Sequence, residues 1–345
     1  MKIMTASHNI YINVLTHLRQ KLFEKQLPEI LEKQGIVFKI NSTDDIVWDL
    51  VVIYEDIDEP WIVKHKENGL LFISGEPPMV KVYSAIFLNQ FDYIISAHPE
   101  IKHNKRFLTQ QSLPSYYGYG SLDNSIHYTF DDLVKMPIPA KSKKISFISS
   151  NRTFLPGHHS RVKFYEDLQK RYADNIVFYG KGFAAVNDKA DAINPYYFSI
   201  CVENSTIEDY WTEKITDAFL GYAVPVYYGC NNITSYFSDN SFIRIDIKDK
   251  KAAFSVIEDL IQNTEDIYKE KLPYLIESRN SCLYAYNTFY FILSFAEKNI
   301  FDAVSGKTIT SEIQSSTIFH DNDFANKRLK AKRMLSKRIN RIFKI

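Results

Sequence analysis

Residues 197–229 read YFSICVENSTIEDYWTEKITDAFLGYAVPVYYG, and this stretch decides the fold. The apolar run ending at Val202 reads as a buried strand and the next ten residues as a polar loop. A helix opens near Thr212, and AVPVYY reads as a second buried strand. Strand, helix and strand at this spacing make a βαβ unit of a parallel sheet. The loop and first helical turn carry Glu203, Asn204, Tyr210, Glu213 and Lys214. In an open parallel sheet this point is the carboxyl end of a strand, where ligands bind. The helix start aims free backbone N–H groups and a positive dipole end at an anion. Glu213 there is ordinary dipole compensation, but Lys214 works against the dipole, and a bound phosphate would explain it. An anion site flanked by a cation, a carboxylate and an aromatic suits a nucleotide sugar. Cys201 reads as a small buried core residue.

Working outward, the N-terminal part alternates strand-like and helical segments. Ile3–Thr5 reads as a short strand, Tyr11–Gln34 as helical by its spacing, and IVFKI as a strand. Buried strands follow at Asp49–Glu55 and Leu70–Ser74, then a helix at Lys81–Phe91 and the strand FDYIISA. A polar stretch ending in KMPIPAKSKK, at Lys135–Lys144, reads as a linker. The alternation then restarts with KISFISSN, a helix at Arg161–Tyr172 and the strand NIVFYG. Leu272–Glu297 reads as helical, closing the second domain or crossing back to the first. The expectation is an α/β protein with two Rossmann-like domains facing a cleft: 1–140, 141–310 and a basic tail over 311–345.

Composition narrows the class. The hydrophobic share of 45% and charged share of 24% are those of a globular protein. Three cysteines at unrelated spacings make neither a disulfide framework nor a zinc site, which favours a reducing cytoplasm. No window approaches the roughly 18 apolar residues of a membrane span. Residues 326–345, NKRLKAKRMLSKRINRIFKI, hold nine Lys or Arg and no acid, so the rest of the chain is net acidic. That argues against nucleic-acid affinity of the body. The tail places Ala331, Leu335, Ile339 and Ile342 at helical spacing among bases, which reads as a membrane-surface helix or as a solvated basic tail.

Other candidates sit at strand ends. Glu76 lies in SGEPP directly after a strand, between Gly75, which permits a sharp departure, and Pro77, which favours extended backbone. A carboxylate held so is a candidate general base, or an acid on a solvated turn. Arg161 opens a helix after a polar loop and is a phosphate clamp or a surface Arg. His158 and His159 are adjacent and make a poor metal pair. Asp56-Ile57-Asp58 would suit a divalent metal with a diphosphate, though such strings are frequent by chance, as is Asp321-Asn322-Asp323.

The stretch quoted first resembles the signature of family 10 glycosyltransferases, the α-1,3/α-1,4-fucosyltransferases. That signature runs Phe-x-Glu-Asn-[Ser/Thr], Tyr-x-Thr-Glu-Lys, Ala-[Phe/Tyr] and a Val/Ile-Pro-[Val/Ile] strand; here Val202 precedes Glu203 where the family has Phe. SGEPP resembles the family's base site, NSFIRIDI its Ser-Phe-Ile segment, and ISSNRTFLPGHHSRVKFYEDL its Ser-Asn…Arg helix with an insert before Arg161. The likeness spans Leu70 to Ile247. It implies a GT-B fold with an N-terminal acceptor domain and a C-terminal donor domain. It also implies inverting transfer from GDP-β-L-fucose to a glycan such as a lipopolysaccharide. By resemblance Glu76 is the base, Arg161 and Lys214 contact the diphosphate, and Glu213 binds the ribose. Asn204 and Tyr210 line the nucleotide pocket, and Glu203 organises the loop or the fucose. No cofactor is required, with a divalent metal at most stimulatory. The expectation is a bacterial cytoplasmic protein, peripheral on the inner membrane face through residues 326–345. Competing readings are a metal-dependent transferase using Asp56 and Asp58, and a non-catalytic protein that binds nucleotide sugars or carbohydrates.

Overall fold

The computed structural model describes residues 9–149, 156–180 and 184–322. The strand expected at residues 3–5, the side chains of His158, His159 and residues 321–323, and the basic tail lie outside the described residues. The described residues divide into two compact units, one formed by those up to Ser112 together with those from Thr288 to residue 322, the other by Leu113–Asn287.

The first unit contains strands β1 (Ile10–Leu15), β2 (Ile36–Ile40), β3 (Leu50–Tyr54), β4 (Trp61–Lys66), β5 (Leu70–Ile73), β6 (Tyr93–Ser96) and β7 (Arg106–Leu108). All but β4 form one parallel sheet in the order β2-β1-β3-β5-β6-β7. Every residue of β3, β5 and β6 is buried, which is why they read as unbroken apolar runs. Against one face, Phe72 meets Tyr83 and Phe87 edge-on at 4.9 and 5.2 Å and stacks on Phe91 at 5.1 Å.

The helix expected over Tyr11–Gln34 is corrected. Its first residues are β1, an interior strand, and the rest is two short helices, α1 (Gln20–Glu24) and α2 (Glu29–Lys33). Pro28 divides them, standing at φ −70°, ψ 125° before α2, where its missing N–H costs nothing. The β-branched residues Ile10, Ile12 and Val14 favour the pleated surface. Asn13 broke the apolar pattern only in appearance, since it is buried and donates to the Ser42 carbonyl at 2.8 Å. The helix expected at Lys81–Phe91 shrinks to α3 (Ala85–Leu88), capped by the Ser84 hydroxyl, which accepts from the Phe87 N–H at 3.1 Å.

The second unit contains α4 (Phe130–Lys135), β8 (Lys143–Ile148), α5 (Pro156–Tyr172), β9 (Ile176–Tyr179), β10 (Tyr196–Val202), α6 (Glu213–Leu220), β11 (Val224–Tyr228), β12 (Ile243–Arg244), α7 (Lys250–Gln262) and α8 (Thr264–Tyr284). Its sheet is parallel, in the order β12-β11-β10-β8-β9. The chain moves from β8 outward to β9 and returns to place β10 on the opposite side of β8. The carboxyl ends of β8 and β10 therefore flank the switch point where such sheets bind ligands.

The domain boundaries expected at 140 and 310 fall instead near 112 and 287. Asp217 in α6 accepts from the Tyr116 and Tyr117 N–H groups at 2.9 and 3.1 Å, and Asp188 from the Gly118 N–H at 2.9 Å. These bonds fasten the stretch read as linker into the second unit. The expected helix over Leu272–Glu297 is broken after Tyr284, and between the two pieces the chain crosses back. There α9 (Thr288–Asn299) sets Phe289 edge-on to Phe38 at 5.0 Å. Strand β13 (Thr308–Ile313) then pairs antiparallel along all of β4. His65 and Ser311 share a 2.9 Å bond across that pair.

Within α9, Phe289, Ile292, Leu293 and Ala296 are fully buried. Large apolar side chains contribute roughly 1.5–3 kcal/mol each on burial, which together approaches the whole net stability of a domain, about 5–15 kcal/mol. A fragment ending at Ser112 should therefore lack a cooperative thermal transition by circular dichroism. A sharp melt of that fragment would show that the returning segment is dispensable.

Candidate functional site

At the switch point of the second sheet lies a pocket of about 260 Å³. The ends of β8 and β10 give it Ile148, Ser149 and Val202, and the turn after β9 gives it Gly180. Arg161 comes from α5, and Glu213 with Lys214 from the first turn of α6. The opposite wall carries Tyr116, Tyr119, Ser121, Asn187 and Lys189. Gly180 has φ +122°, and a Cβ there would stand 1.7 Å from the Ser149 carbonyl oxygen, so only glycine lets these two strand ends approach.

Glu203, one residue past β10, organises the start of α6. Its fully buried carboxylate accepts from the Thr212 N–H at 2.9 Å, from the Thr212 hydroxyl at 2.8 Å, and from the Lys214 ammonium at 3.0 Å. Thr212 in turn caps the helix. Lys189 donates to Asp217 at 2.6 Å and to Glu213 at 3.3 Å. The acids Glu203 and Asp217 are 2% and 1% exposed, whereas the Lys214 and Lys189 side chains are 22% and 20% exposed. The carboxylates thus lie behind and the ammonium groups form the pocket wall. Burial alone would lower both lysines, but Glu203 and Glu213 raise Lys214, and Asp217 and Glu213 raise Lys189. Burial would likewise raise the Glu213 carboxyl, but Lys214 and Lys189 outweigh it and hold it at about 2. Lys189, Lys214 and Glu213 therefore stay charged at neutral pH. Two ammonium groups, a guanidinium and a helix N-terminus around one small pocket make an anion site with one carboxylate left to accept hydrogen bonds.

Arg161, Glu213 and Lys214 thus share one pocket. Asn204 is half-buried, and its side-chain oxygen accepts from the Arg161 guanidinium. Glu203 lies beneath the helix start. Tyr210 is 3% exposed and is not part of the lining. Lys189, Asp217 and the Tyr116–Ser121 segment escaped the sequence reading. Their acids and bases meet partners 24 to 101 residues away, which no local spacing reveals. Gly180 left a visible trace, a glycine directly after a strand.

In the first unit Glu76 stands half-buried in the loop after β5. Its N–H and that of Gly75 both donate to Oε2 of Glu55, the former at 2.9 Å. Asp56, considered with Asp58 for a metal, instead binds Lys81 at 2.7 Å and accepts from the Ser316 N–H at 2.9 Å. Burial would raise its carboxyl, but Lys81 and Ser316 lower it. Asp58 is exposed.

Residues 138–275 match the model of the C-terminal domain of glycosyltransferase family 10 (fucosyltransferase). The chain is 30% identical over 194 residues to the α-(1,3)-fucosyltransferase of Helicobacter pylori, covering 54% of this chain and 36% of that protein. It is 37% identical over 114 residues to human 4-galactosyl-N-acetylglucosaminide 3-α-L-fucosyltransferase 9, covering 32% and 30%. The chain spans about a third of the length of these curated relatives. A crystal structure of an α1,3-fucosyltransferase with GDP-fucose superposes with a TM-score of 0.53 at 21% identity, covering 88% of this chain and 93% of that one. The fold is accordingly the GT-B fold expected from the sequence.

The charge arrangement has a pH signature. A carboxyl at about 2 in the folded chain, against about 4.3 unfolded, stabilises fully above the unfolded value. That contribution fades as pH falls through this window. Urea unfolding midpoints should therefore drop more steeply from pH 5 to 3 in the native protein than in Glu213→Gln. Parallel curves would mean that Glu213 is not held by its two lysines.

Proposed function

We propose, on the premise that residues 138–275 belong to glycosyltransferase family 10, that this chain moves L-fucose from GDP-β-L-fucose to a hydroxyl of an acceptor glycan. The observation that carries this reading is the pocket in which Arg161, Lys189 and Lys214 surround the start of α6. A diphosphate matches that charge, and Glu213 offers an acceptor to the ribose hydroxyls. Asn204 steadies Arg161. A binding protein without activity would need the pocket but not Glu76.

In the reaction, Glu76 takes the proton of the acceptor hydroxyl as its oxygen attacks the anomeric carbon. The bond from that carbon to the diphosphate breaks, and the configuration inverts. Charge grows on the leaving GDP where cations and N–H groups already stand, so little reorganisation is needed. The acceptor is an N-acetylglucosamine or glucose unit of a surface glycan such as a lipopolysaccharide, linked α-1,3 or α-1,4. The human relative is named for a 4-galactosyl-N-acetylglucosaminide, which makes N-acetyllactosamine the first acceptor to screen, with lipopolysaccharide fragments beside it.

Glu76→Gln keeps the shape of the side chain but cannot take the proton. Turnover should fall roughly 100-fold while GDP affinity stays the same. Near-native turnover by the folded variant would remove Glu76 from the chemistry. Lys214→Ala and Arg161→Ala each lose a charge-assisted contact worth about 1.5–3 kcal/mol, which calorimetric titration with GDP should register. Native affinity in both would contradict the donor site.

Among the described residues no helix is long and apolar enough to cross a membrane. We assign membrane attachment to residues 326–345, whose bases can each gain about 1 kcal/mol close to an anionic surface. Deleting them should abolish cosedimentation with anionic vesicles and spare activity on a soluble acceptor. Undiminished cosedimentation of the shortened protein would exclude the tail as the anchor.

A further inference from the structure

Glu55 follows β3 with φ 67°, in the left-handed region that side chains other than glycine rarely adopt. Such strain persists only where the surroundings over-determine it, and it concentrates at functional sites. Glu55 is 5% exposed, so its carboxylate has left water for the protein interior. What it meets there is unusually directed. Oε2 accepts the successive main-chain N–H groups of Gly75 and Glu76, and Oε1 accepts from the Lys81 ammonium at 3.2 Å. From the opposite side, Nε2 of His98, beyond β6, donates to the Glu76 carbonyl. Both polar groups of the Glu76 main chain are therefore held, one from each flanking strand end.

The clamp is itself anchored. Lys81 bridges Glu55 to Asp56 at 2.7 Å. Asp56 accepts from the Ser316 N–H at 2.9 Å and the Ser315 hydroxyl at 3.2 Å, on the returning C-terminal segment. A buried ion pair is a poor source of net stability, because desolvation offsets most of its attraction. It does give rigid direction to the groups that it binds.

We propose that Glu55 is a positioning residue of the transfer reaction, fixing the Gly75–Glu76 peptide so that the Glu76 carboxylate is held ready for the acceptor hydroxyl. This rests on the reading of Glu76 as the base. Displacing a reacting group by an ångström costs up to about 100-fold in rate, so a modest loosening of this peptide is measurable.

The test is a double-mutant cycle on the full chain, with GDP-fucose and the acceptor found by the screen above. Glu55→Gln should lower kcat roughly 10-fold, leaving GDP affinity and the KM for GDP-fucose unchanged. Glu55→Asp keeps the charge but draws the carboxylate back by one methylene. It should lower kcat as well, and it serves if the Gln variant does not fold. In a Glu76→Gln background either substitution should cost nothing further, because Glu55 acts only through Glu76. In protein labelled with 15N-glycine, the Gly75 amide proton should shift upfield in Glu55→Gln as its charge-assisted bond weakens. Native kcat in a folded Glu55 variant, or a fall that multiplies with that of Glu76→Gln, would overturn the positioning role while leaving the base intact. Native turnover by Glu76→Gln alone would instead sink the base, and the positioning role with it.

Discussion

The second unit depends on one buried carboxylate. Glu203 has no exposed side-chain surface, and its oxygens bind the Thr212 backbone, the Thr212 hydroxyl and the Lys214 ammonium. Removing one partner of such a pair strands a charge away from water and costs about 3–5 kcal/mol. The start of α6 therefore has one place to stand. From there Glu213 and Lys214 face the pocket, Asp217 in the next turn reaches Lys189, and Asp217 also receives the Tyr116 and Tyr117 amides. One strand-end glutamate thus sets the floor, the charge and, through the helix, the far wall.

The first unit solves the same problem at the same address. In each sheet the third strand of the unit lies beside the first, with the second on the other side. β3 ends at Tyr54 and β10 at Val202, and the next residue in both is a buried glutamate, Glu55 or Glu203. Each accepts main-chain N–H from a later loop, two groups for Glu55 and one for Glu203, and pairs with one lysine, Lys81 or Lys214. The carboxyl end of a parallel sheet collects functional loops that have no ladder to hold them. A fixed carboxylate is an efficient receiver for their amides, and the lysine pairs with it.

Legibility followed distance along the chain. The apolar runs of β3, β5, β10 and β11 were plain because strands buried on both faces need no alternation. Glu203, Glu213 and Lys214 stood out because strand, loop and helix fall within one short stretch. β1 was misread because Tyr11, Val14 and Leu15 mimic helical spacing, and only the pairing with Ile36–Ile40 and Leu50–Ile53 settles the matter. β13 was missed because its partner strand lies more than 240 residues earlier, and its own alternation of exposed and half-buried residues is weak. Lys189 and Asp217 escaped for the same reason. Each is an ordinary charge until the fold brings the other to it. Glu55 was passed over beside Asp56, which had the more familiar acidic string.

The return of α9 and β13 to the first unit has a consequence during synthesis. Among the described residues the second unit is continuous, from Leu113 to Asn287, and can close as soon as it leaves the ribosome. The six-stranded sheet of the first unit emerges earlier, yet the unit stays incomplete until the residues from Thr288 onward appear. At about 5–20 residues per second that is a wait of roughly 10–35 s, with the surface destined for Phe289, Ile292 and Leu293 uncovered. The unit made first is thus finished last, and it is the half of the nascent chain with most need of a chaperone.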